Sequence, residues 1–186
     1  MPVRFDNFNV YMVNKVGHNN AVIRFAQLTG LGRLDSQRNS VVHLGDDKHS
    51  VMTACNPYSR MVSMWDARCN RCIFAQNWWG MSFTDFCKRW LKTKNNKATS
   101  WFITIDQCIE LCRADEILWA EDMGYFLQRL NELCETNVTS NMLGVHYDAM
   151  KHRRNWEQHW TPELYELFEP IFASDMIHFN QRNDNR

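Results

Sequence analysis

The stretch FNVYMVN, residues 8–14, opens the segment that decides the fold. Its Phe, Val and Tyr residues are typical of a β-strand, and the polar residues at its end predict a turn. Residues 21–28 follow with apolar side chains in a pattern typical of a helix, namely Val22, Ile23, Phe25, Ala26 and Leu28. The segment therefore predicts a strand, a loop and a helix in that order.

The same order of elements recurs further along the chain. Residues 50–54 predict a second strand, after which Asn56 can cap a helix that begins at Pro57, where the missing N–H costs no hydrogen bond. Residues 116–120, EILWA, predict a third strand, and an amphipathic helix follows it. Strands that alternate with helices predict an α/β fold with a central parallel sheet flanked by helices.

Two further helices are predicted from their start signals. Ser82 followed by Asp85 resembles a capping box in front of a helix with apolar residues at helical spacing. The last helix opens at Thr161-Pro162-Glu163, and Pro170 should kink it near its end. These helices supply apolar faces that can cover the predicted sheet.

The composition is typical of a single domain over residues 1–186. The chain is 45% hydrophobic and carries 21 basic and 21 acidic side chains, so we expect no dedicated nucleic-acid binder. Its apolar runs are too short to cross a bilayer, and its first residues lack the order of a signal peptide, so we expect no membrane span. The seven cysteines form no paired framework, which favours reduced thiols in the cytoplasm.

The turn at residues 14–20, NKVGHNN, is the first candidate binding site. Backbone N–H groups at a strand-to-helix turn attract phosphate, and Lys15 adds a positive charge. The turn lacks the second glycine and the Gly-Lys-Ser/Thr ending of a Walker A loop, so ordinary nucleoside triphosphate binding is not indicated. A related P-loop kinase is a further alternative, although it needs a magnesium-binding Ser or Thr that positions 19 and 20 do not provide. A surface turn with a solvated lysine is the alternative interpretation.

The second candidate is the run NPYSRMVSMW at residues 56–65. It resembles the 3′-phosphate-binding segment of sulfotransferases that use 3′-phosphoadenosine 5′-phosphosulfate (PAPS), which reads R-D/N-P-Y-x-R-L-V-S-x-Y/W in the carbohydrate-type members. The loop after the first strand of that family reads P-K-x-G/A-x-S/T-S/T, which the chain matches at Lys15 and Gly17. Three further segments resemble the family in the right order: residues 82–91, 116–121 and 160–175. The resemblance implies a P-loop-like three-layer fold.

The resemblance implies transfer of a sulfuryl group from PAPS to an acceptor hydroxyl or amine, with a carbohydrate as one acceptor class and without a metal ion. Lys15 would neutralise the charge that builds on the leaving 5′-phosphate oxygen. That phosphate would be held by the backbone N–H groups of Gly17, His18, Asn19 and Asn20, with the His18 ring as a further donor. Asn19 and Asn20 stand where the family has hydroxyl residues.

The 3′-phosphate would be bound by Ser63, with Arg60 assisting from one helical turn earlier. Cys55 stands where the family has its first arginine, and a thiol cannot replace the bidentate grip of a guanidinium. Arg153 and Arg154 precede the last helix, where many family members place another phosphate-contacting basic residue. A solvated charge run explains these two arginines equally well.

A general base must take the acceptor proton, and histidine has a pKa suited to that role. His43 and His49 lie between the two phosphate-binding segments, where related enzymes carry the base. His43 follows the apolar pair Val41-Val42 and is the first choice. A structural or exposed histidine is the alternative at both positions.

Two other functions compete with an active sulfotransferase of bacterial or phage cytosolic origin. The departures from the family pattern favour a catalytically inactive binding or structural module, for instance part of a larger viral or cellular assembly. Separately, Cys69-x-x-Cys72 with Cys108 and Cys112 could form a tetrahedral zinc site. The last two cysteines also fit one buried helix face, which favours free thiols over zinc.

Overall fold

The structure is a computed structural model that describes residues 2–13, 19–35, 44–71, 78–93, 104–144 and 155–183. These residues form an α/β fold with one mixed sheet. Its strands are β1 (Pro2–Arg4), β2 (Phe8–Met12), β3 (Arg33–Leu34), β4 (His49–Ala54) and β5 (Glu116–Trp119). Its α-helices are α1 (Asn19–Thr29), α2 (Pro57–Trp65), α3 (Phe83–Thr93), α4 (Ile105–Cys112), α5 (Met123–Cys134), α6 (Ser140–Leu143) and α7 (Pro162–Asn180).

The strand order across the sheet is β3-β1-β2-β4-β5. β2, β4 and β5 are parallel, as the alternation of strands and helices predicts. β1 is antiparallel to both β2 and β3, so the expectation of a wholly parallel sheet was wrong. The reason is local: only residues 5–7 join β1 to β2, and such a short link permits a hairpin but no parallel crossover.

Helix α2 begins as its sequence predicts. The Asn56 side chain accepts hydrogen bonds from the N–H groups of Tyr58 (2.9 Å) and Ser59 (3.3 Å), and Pro57 occupies the first helical position. The cap satisfies two donors that the helix leaves unpaired at its start. A π-helical segment, Asp66–Arg71, follows the helix directly.

The other predicted start signals are also present. Ser82 Oγ accepts the N–H of Asp85 (3.1 Å) and donates to its carboxylate (2.7 Å) in front of α3. Thr161 caps α7, which runs through Pro170 to Asn180. Helix α4 has a full capping box between Thr104 and Gln107, which was not predicted from the sequence.

Both faces of the sheet are covered by helices. On one face, side chains of β1, β2, β4 and β5 pack against α1 and α5 around Phe25 and Phe126, both fully buried. On the other face, Tyr11, Met52 and Trp119 pack against α4 and the end of α7. A third, aromatic cluster joins α2, α3 and α7. No helix within the described residues is both long enough and apolar enough to cross a membrane.

Candidate functional site

The candidate site lies at the carboxyl edge of two neighbouring parallel strands. β2 and β4 are paired in register from Phe8 opposite His49 to Met12 opposite Thr53, so both strands end at the same edge. Helix α1 begins at Asn19 after β2, and α2 begins at Pro57 after β4. The N–H of Val13 donates to Thr53 Oγ1 (3.2 Å) and joins the two strand ends.

Two helices therefore begin at this edge, one strand apart. Strands are spaced about 4.8 Å, and helix N-termini attract anions through their unpaired N–H groups and their dipole. At the start of α2 the N–H groups of Tyr58 and Ser59 already bind Asn56, so that terminus offers fewer free donors than an uncapped one.

Six of the residues predicted for the site lie outside the described residues: Lys15, Gly17, His18, His43, Arg153 and Arg154.

The turn before α2 is held by a carboxylate from the next strand. Glu121, two residues after the end of β5, accepts the backbone N–H of Asn56 (2.9 Å). The contact fixes the position of the capping residue relative to β5. Glu121 therefore has a structural role at this turn.

Arg60 is almost completely buried, with 2% of its surface exposed. Its guanidinium acts on the carboxyl of Asp175 in α7, which is fully buried and accepts the N–H of Ile105 at the start of α4 (2.6 Å). Burial raises the pKa of Asp175 to about 6, while the Ile105 N–H and the charge of Arg60 act in the opposite direction. Arg60 thus contributes to the electrostatic contact between α2, α4 and α7.

The other residues predicted at the 3′-phosphate differ in exposure. Ser63 is half-buried on α2, one turn after Arg60. Cys55 is 2% exposed and packs in the cluster under the sheet, so it presents no polar group at the edge. On α1, Asn20 is exposed in the second helical position and Asn19 is the first helical residue.

His49 lies at the opposite edge of the sheet. It is the first residue of β4, and Ala54, five residues later, is the last. At about 3.3 Å per residue, some 17 Å of strand separates His49 from the start of α2. The structure therefore does not bring His49 together with Arg60 and Ser63.

At that edge His49 belongs to a charged cluster that was not predicted from the sequence. Its Nε2 lies 3.2 Å from Glu116 and its Nδ1 lies 3.5 Å from Asp115, while Arg129 Nε donates to Glu116 (2.9 Å). The sequence does contain a signal for this cluster, because His49 and Asp115-Glu116 stand at the starts of two predicted strands. Parallel strands that are neighbours begin at one edge of the sheet, so their first residues meet.

The cysteines proposed for zinc are not brought together. Cys69 packs in the aromatic cluster of α2, α3 and α7, whereas Cys108 and Cys112 pack under the sheet. Cys72 lies outside the described residues. The six cysteines that the structure describes are free thiols, and in this part of the chain no group of three His, Cys, Asp or Glu side chains could hold a metal.

Comparison with known proteins gives no relative from which a function could be transferred. No family model, no curated protein sequence and no solved structure matches the chain.

Proposed function

We propose that this protein is a sulfotransferase that moves a sulfuryl group from PAPS to an acceptor hydroxyl or amine, with a carbohydrate as one acceptor class. The observation that carries the proposal is the parallel pairing of β2 and β4, the two strands after which α1 and α2 begin. The two sequence segments that resemble the phosphate-binding segments of the family therefore start from adjacent strand ends.

This arrangement suits a nucleotide with phosphates at both ends of its ribose. The segment after β2, with Lys15, would take the 5′-phosphate, and Ser63 on α2 would take the 3′-phosphate. Helices on both faces of the sheet support the finer proposal of a P-loop-like three-layer fold. Because β2 and β4 are nearest neighbours, a single nucleotide can span both segments.

The chemistry would depend on positioning and charge, as in phosphoryl transfer. The acceptor oxygen or nitrogen attacks the sulfur, and the bond from sulfur to the 5′-phosphate oxygen breaks. Lys15 stabilises the charge that develops on that leaving oxygen. The acceptor proton passes to a general base, for which His43 stays the first choice, since His49 lies at the other edge of the sheet.

Arg60 has a supporting role in this proposal. Its burial beside Asp175 favours a part in holding α2 in place, so that the half-buried Ser63 faces the nucleotide at a fixed distance from β2. Arg153 and Arg154 stay candidates for a further phosphate contact on the sequence resemblance alone.

The test is calorimetric titration with adenosine 3′,5′-bisphosphate, the product left by PAPS after transfer. We expect saturable binding to the wild type and at least about tenfold weaker binding to Lys15→Ala and Ser63→Ala, the loss of one charge-assisted contact. Lys88→Ala is the matched control, because Lys88 is half-exposed on α3 and pairs only weakly with Glu163 (3.7 Å). Absence of heat with the intact protein would remove the proposal.

A second candidate is an inactive module that keeps the fold. The burial of Cys55 favours it, because the family's arginine grip on the 3′-phosphate is replaced by a side chain packed in the core. Incubation with PAPS and a panel of sugar, phenol and amine acceptors separates the two candidates. Nucleotide binding without any sulfated product would favour the inactive module.

A further inference from the structure

A cavity of about 450 Å³ runs along the outer edge of β5. β5 is the last strand in the sheet order and, within the described residues, pairs only with β4. The cavity is lined by Ile117 and Trp119, which belong to the cluster on one face of the sheet, and by Tyr125 of α5, which packs against the cluster on the other face. The cavity thus straddles the strand edge, where alternate backbone N–H and C=O groups point away from β4.

One end of the cavity is acidic. Asp115 and Glu116 lie at the start of β5, and both face the ring of His49. Glu116 is 18% exposed and is already bound by Arg129, whereas the Asp115 side chain is 56% exposed. Ser50 N–H donates to Asp115 Oδ2 (2.7 Å), which fixes the carboxylate at the cavity wall. Asp115 is therefore the acceptor that a bound ammonium group would meet.

The other end is basic. Arg182 follows α7, where its Nη1 donates to the Phe179 carbonyl (2.6 Å) and its guanidinium lies 3.8 Å from the Phe179 ring centroid. Phe179 in turn packs edge-on against Trp119, with 5.4 Å between ring centroids, which places Arg182 near the carboxyl end of β5. A guanidinium has five N–H donors, so Arg182 has further donors for a carboxylate. His178 stands beside it, paired with Asp106.

The length of β5, which runs between the two ends, suits a short ligand. Glu116 and Trp119 are three residues apart, about 10 Å along an extended strand, and an extended tripeptide has the same length. The volume lies in the range of sites for small ligands. Between the charged ends, Ile109 and Ile117 form an apolar wall.

We propose that this cavity binds a free tripeptide, laid parallel to β5 as an added strand, with its amino group at Asp115 and its carboxylate at Arg182. The peptide backbone would pair with the outer edge of β5, as in other cases of strand addition. A small apolar central side chain would lie on the wall formed by Ile109 and Ile117. The proposal is independent of sulfuryl transfer, because the site uses neither Lys15 nor Ser63.

The first test uses the wild-type protein and four versions of the peptide Ala-Val-Ala: free, N-acetylated, C-amidated and blocked at both ends. Calorimetry should give a saturable Kd for the free peptide. Each single block should weaken binding about tenfold or more, because each removes one charge-assisted contact. Equal binding of the doubly blocked peptide would overturn the proposal, as would absence of binding at millimolar free peptide.

The second test assigns each charge to its residue. Arg182→Gln should bind the free and C-amidated peptides with the same Kd within about twofold, and Asp115→Asn should do the same for the free and N-acetylated peptides. Arg33→Gln on the opposite sheet edge and Asp6→Asn in the β1–β2 turn are exposed controls that should keep the wild-type pattern. If either cavity variant still discriminates the blocked peptide as the wild type does, the assignment fails.

Discussion

The carboxylate of Asp175 in α7 accepts the backbone N–H of Ile105, the first residue of α4, with 2.6 Å between Oδ1 and N. The two residues are 70 positions apart in the sequence. The start of α4 is therefore held by a buried carboxylate from α7 as well as by its own cap, Thr104. The same carboxylate interacts electrostatically with Arg60 of α2, so three helices meet at one buried acidic group.

We expect Asp175 to make stability depend on pH. Burial raises its pKa to about 6 in the folded protein, above the ordinary value of 3.8. The folded state then binds the proton more tightly, so the free energy of unfolding should fall as pH rises from about 4 to about 6.5, by on the order of 3 kcal/mol. Urea unfolding of the wild type and Asp175→Asn across this range checks the prediction. The difference in unfolding free energy between the two proteins should change with pH, and a constant difference would contradict it.

Removal of Arg60 should be strongly destabilising at neutral pH. Arg60→Leu leaves the charge of Asp175 buried without its cation, which typically costs about 3–5 kcal/mol. The double variant Arg60→Leu, Asp175→Asn should regain part of this loss, since neither charge is then left alone. Chemical denaturation of the four proteins gives the coupling free energy, and strictly additive losses would contradict an interaction between the two side chains.

Loss of the α2 cap should have a smaller effect. Asn56→Ala removes the acceptor for the N–H groups of Tyr58 and Ser59 and should lower the free energy of unfolding by about 1–2 kcal/mol. Asn20→Ala is the matched control, because Asn20 is exposed within α1. Thermal unfolding of the wild type and the two variants measures the loss of stability in each case. A loss no larger than that of the control would show that the cap contributes nothing to stability.

Nucleotide binding should distinguish the two edges of the sheet. His49→Gln should change the Kd for adenosine 3′,5′-bisphosphate by less than about twofold, because His49 lies one strand length away from α2. Lys15→Ala should weaken binding of this nucleotide at least about tenfold. If His49→Gln abolishes nucleotide binding in a folded protein, the carboxyl edge is the wrong location for the site.

Thiol reactivity should follow burial. Burial raises the pKa of Cys87 and Cys112 to about 12, and both are fully buried, whereas Cys134 is half-buried with a pKa raised to about 11. Because the thiolate is the reactive form, alkylation of the native protein by N-ethylmaleimide should label Cys134 before the other two. Peptide mass spectrometry gives the order, and labelling in urea should remove the difference. Equal rates in the native protein would contradict the packing.

Several elements were predictable because their signals are local. Asn56-Pro57 marks the start of α2, Ser82 and Asp85 mark the start of α3, and the apolar runs mark the parallel strands. Strands β1 and β3 escaped prediction, since three and two residues are too few for a periodic pattern.

The candidate site was predicted less completely than the fold. The pairing of β2 with β4 agrees with the expectation that two candidate segments follow neighbouring strands. No local pattern indicated that Arg60 would be buried beside Asp175. His49 and Asp115 were each visible as polar residues in front of a strand. Their meeting depends on which strands are neighbours, which no short segment encodes.

By itself, the sequence determined where the parallel strands and the helices α2, α3 and α7 start, because caps, proline and side-chain periodicity act over a few residues. Only the tertiary structure decided that β1 turns back on β2, that His49 lies a strand length away from α2, and that the edge of β5 carries opposite charges at its two ends. The physical reason is that strand order and helix packing are set by the burial of whole apolar faces. That free energy depends on contacts between segments far apart in the chain.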